Sequence, residues 1–482
     1  MTLKGLKAVA LLTLDILILP FFLFVSLVSL RKVHHLVLLR DLVKKFLRFL
    51  LIILIESFYD SPIRFERNIL SRISKTNSYA YQYGLAKLAE AKYLSEGHLK
   101  ASPTFISHSI CGIKKSSQRF GTQVLILGPE WISTFGHISN LSLFPKAELL
   151  GWSQFSEKII CGGKSANSNM SSLYSDWYTF LTADNETQSL LDLCFRDVYQ
   201  SMNAIPLKNN EVTDTYSAQF QIEEAITRRF GGNFHLLKLK NDLRSLGQEF
   251  LEINGLDPNS WFVTLHMREL NSPTPFRNGD NVEPATYIDA IKAILELGGQ
   301  VIRIGNSGMT PLDLLDMNHE RVFDYAHSEK KHSYLDVFFL SQCKFMIGTG
   351  SGPITFPNEF GRPVLYTNVP AIGRTLRLRG VSTPQLIKDR ETGKLLNIDD
   401  MLNNPLGWNV RQATTKYVRV KNTPREIANA VIDLDTIVND NRDNYWLSPN
   451  LSSSNNSLLP QWQIGVPIST SFLHEHGDTL IT

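Results

Sequence analysis

The stretch Lys344 to Asn368, KFMIGTGSGPITFPNEFGRPVLYTN, constrains the fold of this chain more than any other. Phe345-Met346-Ile347 is a short apolar run with a β-branched end, bounded by turn residues, which is the pattern of a buried parallel strand. In Gly348-Thr349-Gly350-Ser351-Gly352 the missing side chains let backbone N–H groups crowd together. Pro353 is suited to open a helix, because its absent N–H falls among donors that lack an intrahelical partner. Val364-Leu365-Tyr366 reads as the next strand, after a turn at Gly361-Arg362-Pro363. A glycine turn leading into a helix N-terminus suits a phosphate. The segment therefore predicts a strand–turn–helix–strand unit able to seat a diphosphate, with a plain structural turn as the other reading.

Three other motifs do not fit the glycine loop. The dinucleotide fingerprint G-x-G-x-x-G meets Pro353 at its third glycine. A P-loop needs a Lys after the glycines, and none is present. A nucleophile elbow needs glycines two residues either side of Ser351, where Thr349 and Pro353 stand.

Strand-like and helix-like segments alternate on both sides of a turn cluster at Asp257-Pro258-Asn259-Ser260. Before it, Val124–Leu127 is the first buried strand, and Gln219–Phe230 and Leu237–Leu251 have the best helical spacing. After it come strands at Trp261–Met267, Gln300–Gly305 and Arg321–Tyr325, with helices at Pro284–Leu297, Pro311–Asp316, Ser333–Cys343 and Thr423–Val438. This alternation predicts an α/β chain of two doubly wound parallel sheets, with ligands outside the carboxyl ends of the strands. The expected organisation is a membrane-attached segment over 1–57 and a helical linker over 58–120. A first Rossmann-like domain follows over 121–256, a second over 257–438, and a loosely ordered polar tail over 439–482.

The amino terminus reads as membrane-seeking. Ala8 to Leu30 carries one charge, Asp15, over a length beyond the ~20 residues that cross a bilayer. Asp15 costs about 2.5–3.5 kcal/mol in the lipid core, and Pro20 predicts a kink, so a spanning and a re-entrant helix both stay open. Arg40, Asp41, Lys44, Lys45 and Arg48 then share one helical face, opposite Leu36, Leu39, Val43, Phe46, Leu47 and Leu50. Basic residues over an apolar face suit an anionic lipid surface. The cationic excess between Arg31 and Arg48 places the rest of the chain on the cytoplasmic face of the inner membrane.

Composition excludes some functions. A formal charge of +3 over 482 residues gives no footprint for nucleic acid. Cys111, Cys161, Cys194 and Cys343 form no C-x-x-C pair and read as reduced and buried. The histidines show no H-E-x-x-H pattern, and no D-x-D pair stands at a strand end of the expected cleft. No metal and no bound cofactor are expected.

Joined to the helix before it, the glycine loop reads DVFFLSQCKFMIGTGSGP. This resembles the donor-site signature of the fucosyltransferase-like glycosyltransferases, and the strand end His266-Met267-Arg268-Glu269 resembles that family's H-x-R strand end. The order LHMRE, RN, DYAHS, GTGSGP, FGRPV is similar to that of a group of uncharacterised bacterial glycosyltransferases, over roughly Gly121 to Pro370. The resemblance implies the two-Rossmann GT-B arrangement and a nucleotide diphosphate sugar as co-substrate. It also implies an arginine facing the diphosphate. With the membrane segment, it points to an envelope saccharide or lipid-linked acceptor. A non-catalytic binding or scaffold protein on such a fold, or a nicotinamide-dependent oxidoreductase, is the alternative.

Candidate site residues follow. Arg268 is expected to grip the diphosphate with paired hydrogen bonds, or else to pair with Glu269 or Asp324. His266 lies on the same strand face, as a diphosphate contact or a core histidine. Thr349, Gly350, Ser351 and Gly352 would cradle the phosphates. In the resembling group Arg277 and Asn278 are loop contacts to donor or acceptor, and an acid at Asp336 braces the loop or meets the nucleotide. Asp324 and Tyr325 end a strand beside the expected base pocket, for contact or for packing. His137, on a Gly-His turn of the first domain, is the expected general base, because a histidine near neutral pKa suits proton removal from an acceptor hydroxyl. Glu130 is the reserve.

Overall fold

The computed structural model describes residues 116–118, 120–162, 164–181, 198–202, 205–208, 212–213, 215–269, 281–312, 319–369, 379–397, 416–440 and 466–481. The expected membrane segment over 1–57, the linker up to residue 115, and the loop carrying Arg277 and Asn278 lie outside them. Among the described residues no helix is long and apolar enough to cross a membrane. The chain divides into two compact units, Met1–Lys115 with Leu193–Tyr199, and Ser116–Asp192 with Gln200–Thr482. All elements below belong to the second unit.

Its first half is built on β1 (Val124–Leu127), α1 (Phe135–Ser139), α2 (Leu143–Leu149), β2 (Glu157–Cys161), α3 (Ser168–Ser172) and β3 (Thr179–Leu181). A two-residue antiparallel pair, β4 (Ile205–Pro206) and β5 (Val212–Thr213), precedes the helices α4 (Thr215–Phe230) and α5 (Asn241–Ile253). The strands β1, β2 and β3 form a parallel sheet in that order. Residues 237–240, expected at the start of a helix, lie outside it, and Lys240 just before α5 is extended. Leu237 and Leu239 are buried there while Lys238 and Lys240 are exposed, a strand-like alternation.

The second half contains β6 (Phe262–His266), α6 (Ile288–Glu296), β7 (Gln300–Arg303), β8 (Val322–Phe323), α7 (Ser333–Gln342), β9 (Phe345–Gly348), β10 (Val364–Val369) and β11 (Gly380–Pro384). Its parallel sheet has the order β11-β10-β9-β6-β7-β8. The chain starts at β6, winds outward through β7 and β8, then crosses back to β9 on the other side. The sheet therefore reverses between β6 and β9, which pair with His266 opposite Gly348.

Period-two alternation explains the layers. Val263, Leu265, Phe345, Ile347 and Leu365 pack with Ile291 and Ile294 of α6 and with Ile427 and Val431 on one face. Phe262, Met346, Val364 and Tyr366 join a second core that includes Phe339 and Leu340 of α7 and Leu125, Leu127, Trp131 and Phe144 of the first half. Both faces are covered, as a parallel sheet requires.

Beyond β11, the pair β12 (Leu386–Asp389) and β13 (Tyr417–Val420) is antiparallel. The helix α8 (Pro424–Asn439) opens on a capping box between Thr423 and Glu426. The tail expectation over 439–482 is corrected in part. A helix, α9 (Thr470–Ile481), folds back, and Phe472 and Leu480 join Leu386, Ile387 and Ile468 in a third apolar cluster. Its few apolar side chains find partners on β12, on Tyr417 of β13 and on Leu395 and Leu396, long-range contacts invisible in local composition.

The expected helix after the glycine turn is also corrected. Two short 3-10 turns, Pro353–Thr355 and Pro357–Phe360, stand in its place. Pro357 lies four residues after Pro353, so it lacks the N–H that would bond the Pro353 carbonyl, and its ring crowds that carbonyl. Cys161 and Cys343 are buried and take part in no disulfide, in line with the cysteine expectation at these two positions.

Candidate functional site

The reversal of the second sheet brings four of the expected donor residues together. Thr349 follows β9, is fully buried, and its N–H donates to the His266 carbonyl at 3.4 Å. The Thr349 Oγ1 accepts the Arg268 backbone N–H at 3.1 Å. Ser351 Oγ and His266 Nδ1 share a hydrogen bond of 3.0 Å. The side chain of Arg268 is oriented by Nε donating to Asn281 Oδ1 at 3.2 Å. This is the strand-end crevice at which open parallel sheets hold ligands.

Beside it lies a cavity of ≈ 390 Å³. His266 from β6 lines it, as do Gly305 and Asn306 after β7, Tyr325 after β8, and Lys331 and Asp336 around the start of α7. Phe135, Ala166 and Asn167 close it from the first half. They follow β1 and β2, so the carboxyl ends of both parallel sheets look into one space.

Burial sets the charge states in this cavity. His266 is pushed down to about 4, first by burial and then by the nearby guanidinium groups of Arg303 and Arg268, so it is neutral at physiological pH. Asp336 is pushed up to about 6, chiefly by burial, while Lys331 and a hydrogen bond from Asn167 partly restore the charged form. Lys331 is itself held below its ordinary value by partial burial, and its Nζ donates to the Gly305 carbonyl at 2.7 Å.

Asp324 is not free to read a base. It accepts from Arg303 Nη1 at 3.0 and 3.2 Å, and from the Leu312 N–H at 3.0 Å, and it lies 3.0 Å from His327 Nδ1. Arg303 is fully buried, and its Nη2 donates to Glu269 Oε1 at 2.7 Å. The sequence offered Arg268 as partner for these two acids; Arg303 takes that place, and its field reaches His266. Tyr325 lines the cavity, but its hydroxyl is held by the His332 backbone, donating at 3.0 Å and accepting at 2.8 Å. Its ring packs edge-on against Phe339 and Phe250.

The expected base is not at the cavity. His137 sits inside α1, where Thr134 caps its backbone N–H. Its Nδ1 turns back to the Glu130 carbonyl at 2.8 Å. Glu130 is exposed on a 3-10 turn, and neither residue lines the cavity. The α1 residue that does line it is Phe135. Asn167, Lys331 and His332 also line it without having been singled out from sequence. Only the DYAHS and DVFFLSQ segments flanking Lys331 and His332 pointed to this region.

Gly352 was expected under a phosphate. It packs against the first half instead. A Cβ there would sit 2.7 Å from the Gly136 backbone nitrogen. The same seam carries Thr355 Oγ1 to Ser139 Oγ at 2.8 Å, and Lys146 of α2, buried between Glu223 and Glu359, with Lys146 Nζ to Glu359 Oε2 at 2.8 Å. Burial alone would lower the Lys146 pKa; the two carboxylates outweigh it and raise it. Gly350 remains exposed at the loop tip.

Among the described residues one group has metal-ligand spacing, Glu426, Glu475 and His476, and none of these lines the cavity.

No family model and no curated protein sequence matches the chain. Solved structures resemble it distantly. ADP-heptose lps heptosyltransferase II of E. coli has 12% identity and a TM-score of 0.30, covering 55% of this chain and 90% of that one. The glycosyl transferase family 9 protein of Veillonella parvula has 12% identity and a TM-score of 0.26, over 51% and 67%. The glycosyltransferase TibC of enterotoxigenic E. coli has 16% identity and a TM-score of 0.29, over 52% and 59%.

Proposed function

We propose that this chain is a glycosyltransferase that moves a sugar from a nucleotide diphosphate donor to an envelope saccharide or lipid-linked acceptor. The observation that carries the reading is the cavity at the carboxyl ends of two parallel sheets, next to the cluster of His266, Arg268, Thr349 and Ser351 at the sheet reversal. The donor diphosphate lies at the reversal and the rest of the donor extends into the cavity. In the transfer, an acceptor hydroxyl oxygen forms the bond to the anomeric carbon. The bond from that carbon to the diphosphate breaks, both its electrons leave on the diphosphate, and the hydroxyl proton is released to solvent.

The residues suit parts of this task. Arg268 presents a cation to the growing diphosphate charge, in a metal-independent reaction. His266, being neutral, serves as a hydrogen-bonding group and not as a second cation. Asp336 is an acceptor-only group when ionised, and takes an N–H or O–H from nucleotide or acceptor. The acceptor reaches the site from the cytoplasmic face of the membrane, where the amino-terminal segment holds the chain.

A thermal-shift screen against UDP, GDP, ADP and CMP sugars tests the reading. A ligand at 100 times its Kd adds about 2.7 kcal/mol to native stability, so one class should raise the melting temperature clearly. Release of the matching nucleoside diphosphate in the presence of membrane saccharide should follow. Stabilisation by a nicotinamide cofactor, with no response to any nucleotide sugar, would replace this reading with the oxidoreductase one.

A further inference from the structure

Asn167 and Asp336 come from opposite halves of the molecule and meet at the cavity wall. Asn167 precedes α3 and is 3% exposed. Its Oδ1 accepts the Met170 backbone N–H at 2.9 Å, capping α3. That bond fixes which way the amide faces. Nδ2 must then point to α7, where it donates to the Ser333 carbonyl at 2.9 Å and to Asp336 Oδ2 at 3.1 Å. Two residues on, Asn169 Nδ2 donates to Ser333 Oγ at 2.6 Å, a second tie between the same helices. Among the described residues Asn167 supplies the one hydrogen bond to this carboxylate. A carboxylate offers about four acceptor positions on its two oxygens, so the other oxygen is left for whatever enters the cavity.

We propose that Asn167 is a positioning residue: reaching across from the first half, it turns the Asp336 carboxylate into the cavity and holds it ionised, as the acceptor for an N–H or O–H of the bound ligand. The ligand's class rests on the transferase reading above; the pairing itself does not. The other titratable groups at this wall are Lys331 and His332 just before α7, Tyr325 below and His266 on β6. Lys331 favours the charged form of Asp336 and burial opposes it. The Asn167 N–H is accepted more strongly by the carboxylate than by the neutral acid, so losing it moves Asp336 toward protonation.

The informative variant is Asn167→Asp. Aspartate keeps the cap on α3, but it replaces the amide donor by a second carboxylate facing Asp336. Melting temperature is measured from pH 5 to 8 for the wild type, Asn167→Asp, Asp336→Asn and the double variant. Expected is a loss of stability in Asn167→Asp that grows as pH rises, and that Asp336→Asn largely abolishes. A role limited to capping predicts no loss in Asn167→Asp. If its pH profile coincides with that of the wild type, or if the loss persists undiminished in the double variant, the proposal is overturned. Calorimetry with the nucleotide sugar found in the screen supplies the second arm. Binding to the wild type should weaken as pH falls through about 6, and Asn167→Asp should move that midpoint upward by roughly one pH unit or more, the usual effect of a like charge at this range. If the coupling appears but no nucleotide sugar binds at any pH, the transferase reading fails and the Asn167–Asp336 assignment stands.

Discussion

At the end of β6, His266 carries opposite demands: it sits in a fully buried strand end, yet it shares a hydrogen bond with Ser351. Because its pKa is lowered from 6.5 to about 4, the folded state binds a proton less readily than the unfolded chain. Its stability penalty is therefore absent above pH 6.5 and grows as pH falls toward 4. His266→Gln should flatten that acid limb of a melting-temperature profile; an unchanged limb would show that His266 does not titrate this way. Asp336 has the reverse sign. Its raised pKa, from 3.8 to about 6, means that the folded state binds the proton more tightly, so stability is lost as pH rises between those values. Asp336→Asn should stabilise the protein at pH 7.5 by roughly 3 kcal/mol, at 1.36 kcal/mol per pKa unit, and by nothing below about pH 4, as read from urea unfolding. The sequence pointed to His266 and Arg268 because they close a strand of clear period, and to Asp336 through its place in the signature that the segment resembles. His137 was expected on a turn from its Gly-His context, whereas Thr134 caps a helix there and the ring meets the Glu130 carbonyl.

At the scale of elements, β6, β9 and β10 were legible because both faces of a buried parallel strand must be apolar. The piece after β9 was not, since Pro353 signals a helix start while Pro357 forbids the helix to continue. The contact that this shape serves lies far away in sequence. Gly352 meets Gly136, and an added methyl at 2.7 Å from backbone cannot be absorbed by rotamer change. Gly352→Ala should therefore destabilise by roughly 1–3 kcal/mol, the range for overpacking, measured by urea unfolding; Gly350→Ala, at an exposed tip, should not. The same seam holds Lys146 between Glu223 and Glu359. Lys146→Met leaves two carboxylates buried without their cation and should cost about 3–5 kcal/mol. A loss under about 1 kcal/mol, the level of a surface ion pair, would show that the seam is wetter than its burial implies.

At the scale of the whole molecule, alternating strands and helices announced two parallel sheets, and the six-stranded second sheet has the double winding expected. The described part of the first half is thinner, with three parallel strands and a short antiparallel pair. What no local pattern disclosed is the pairing between halves. Asn167 reaches Asp336, Lys146 reaches Glu359, and Gly136 meets Gly352, and each pair is more than a hundred residues apart. These contacts make one cavity out of two sheet ends. That cavity, with the sheet reversal beside it, is the proposed site for a nucleotide diphosphate sugar. Calorimetry on the wild type and Arg268→Ala, titrated with the nucleoside diphosphate of the responding class and with the free nucleoside, tests this most directly. The predicted result is diphosphate binding by the wild type that Arg268→Ala weakens by about 1.5–3 kcal/mol, the range for a hydrogen bond to a charged group, with nucleoside binding left nearly unchanged. Equal diphosphate affinity in the two proteins would contradict the placement of the donor at the sheet reversal.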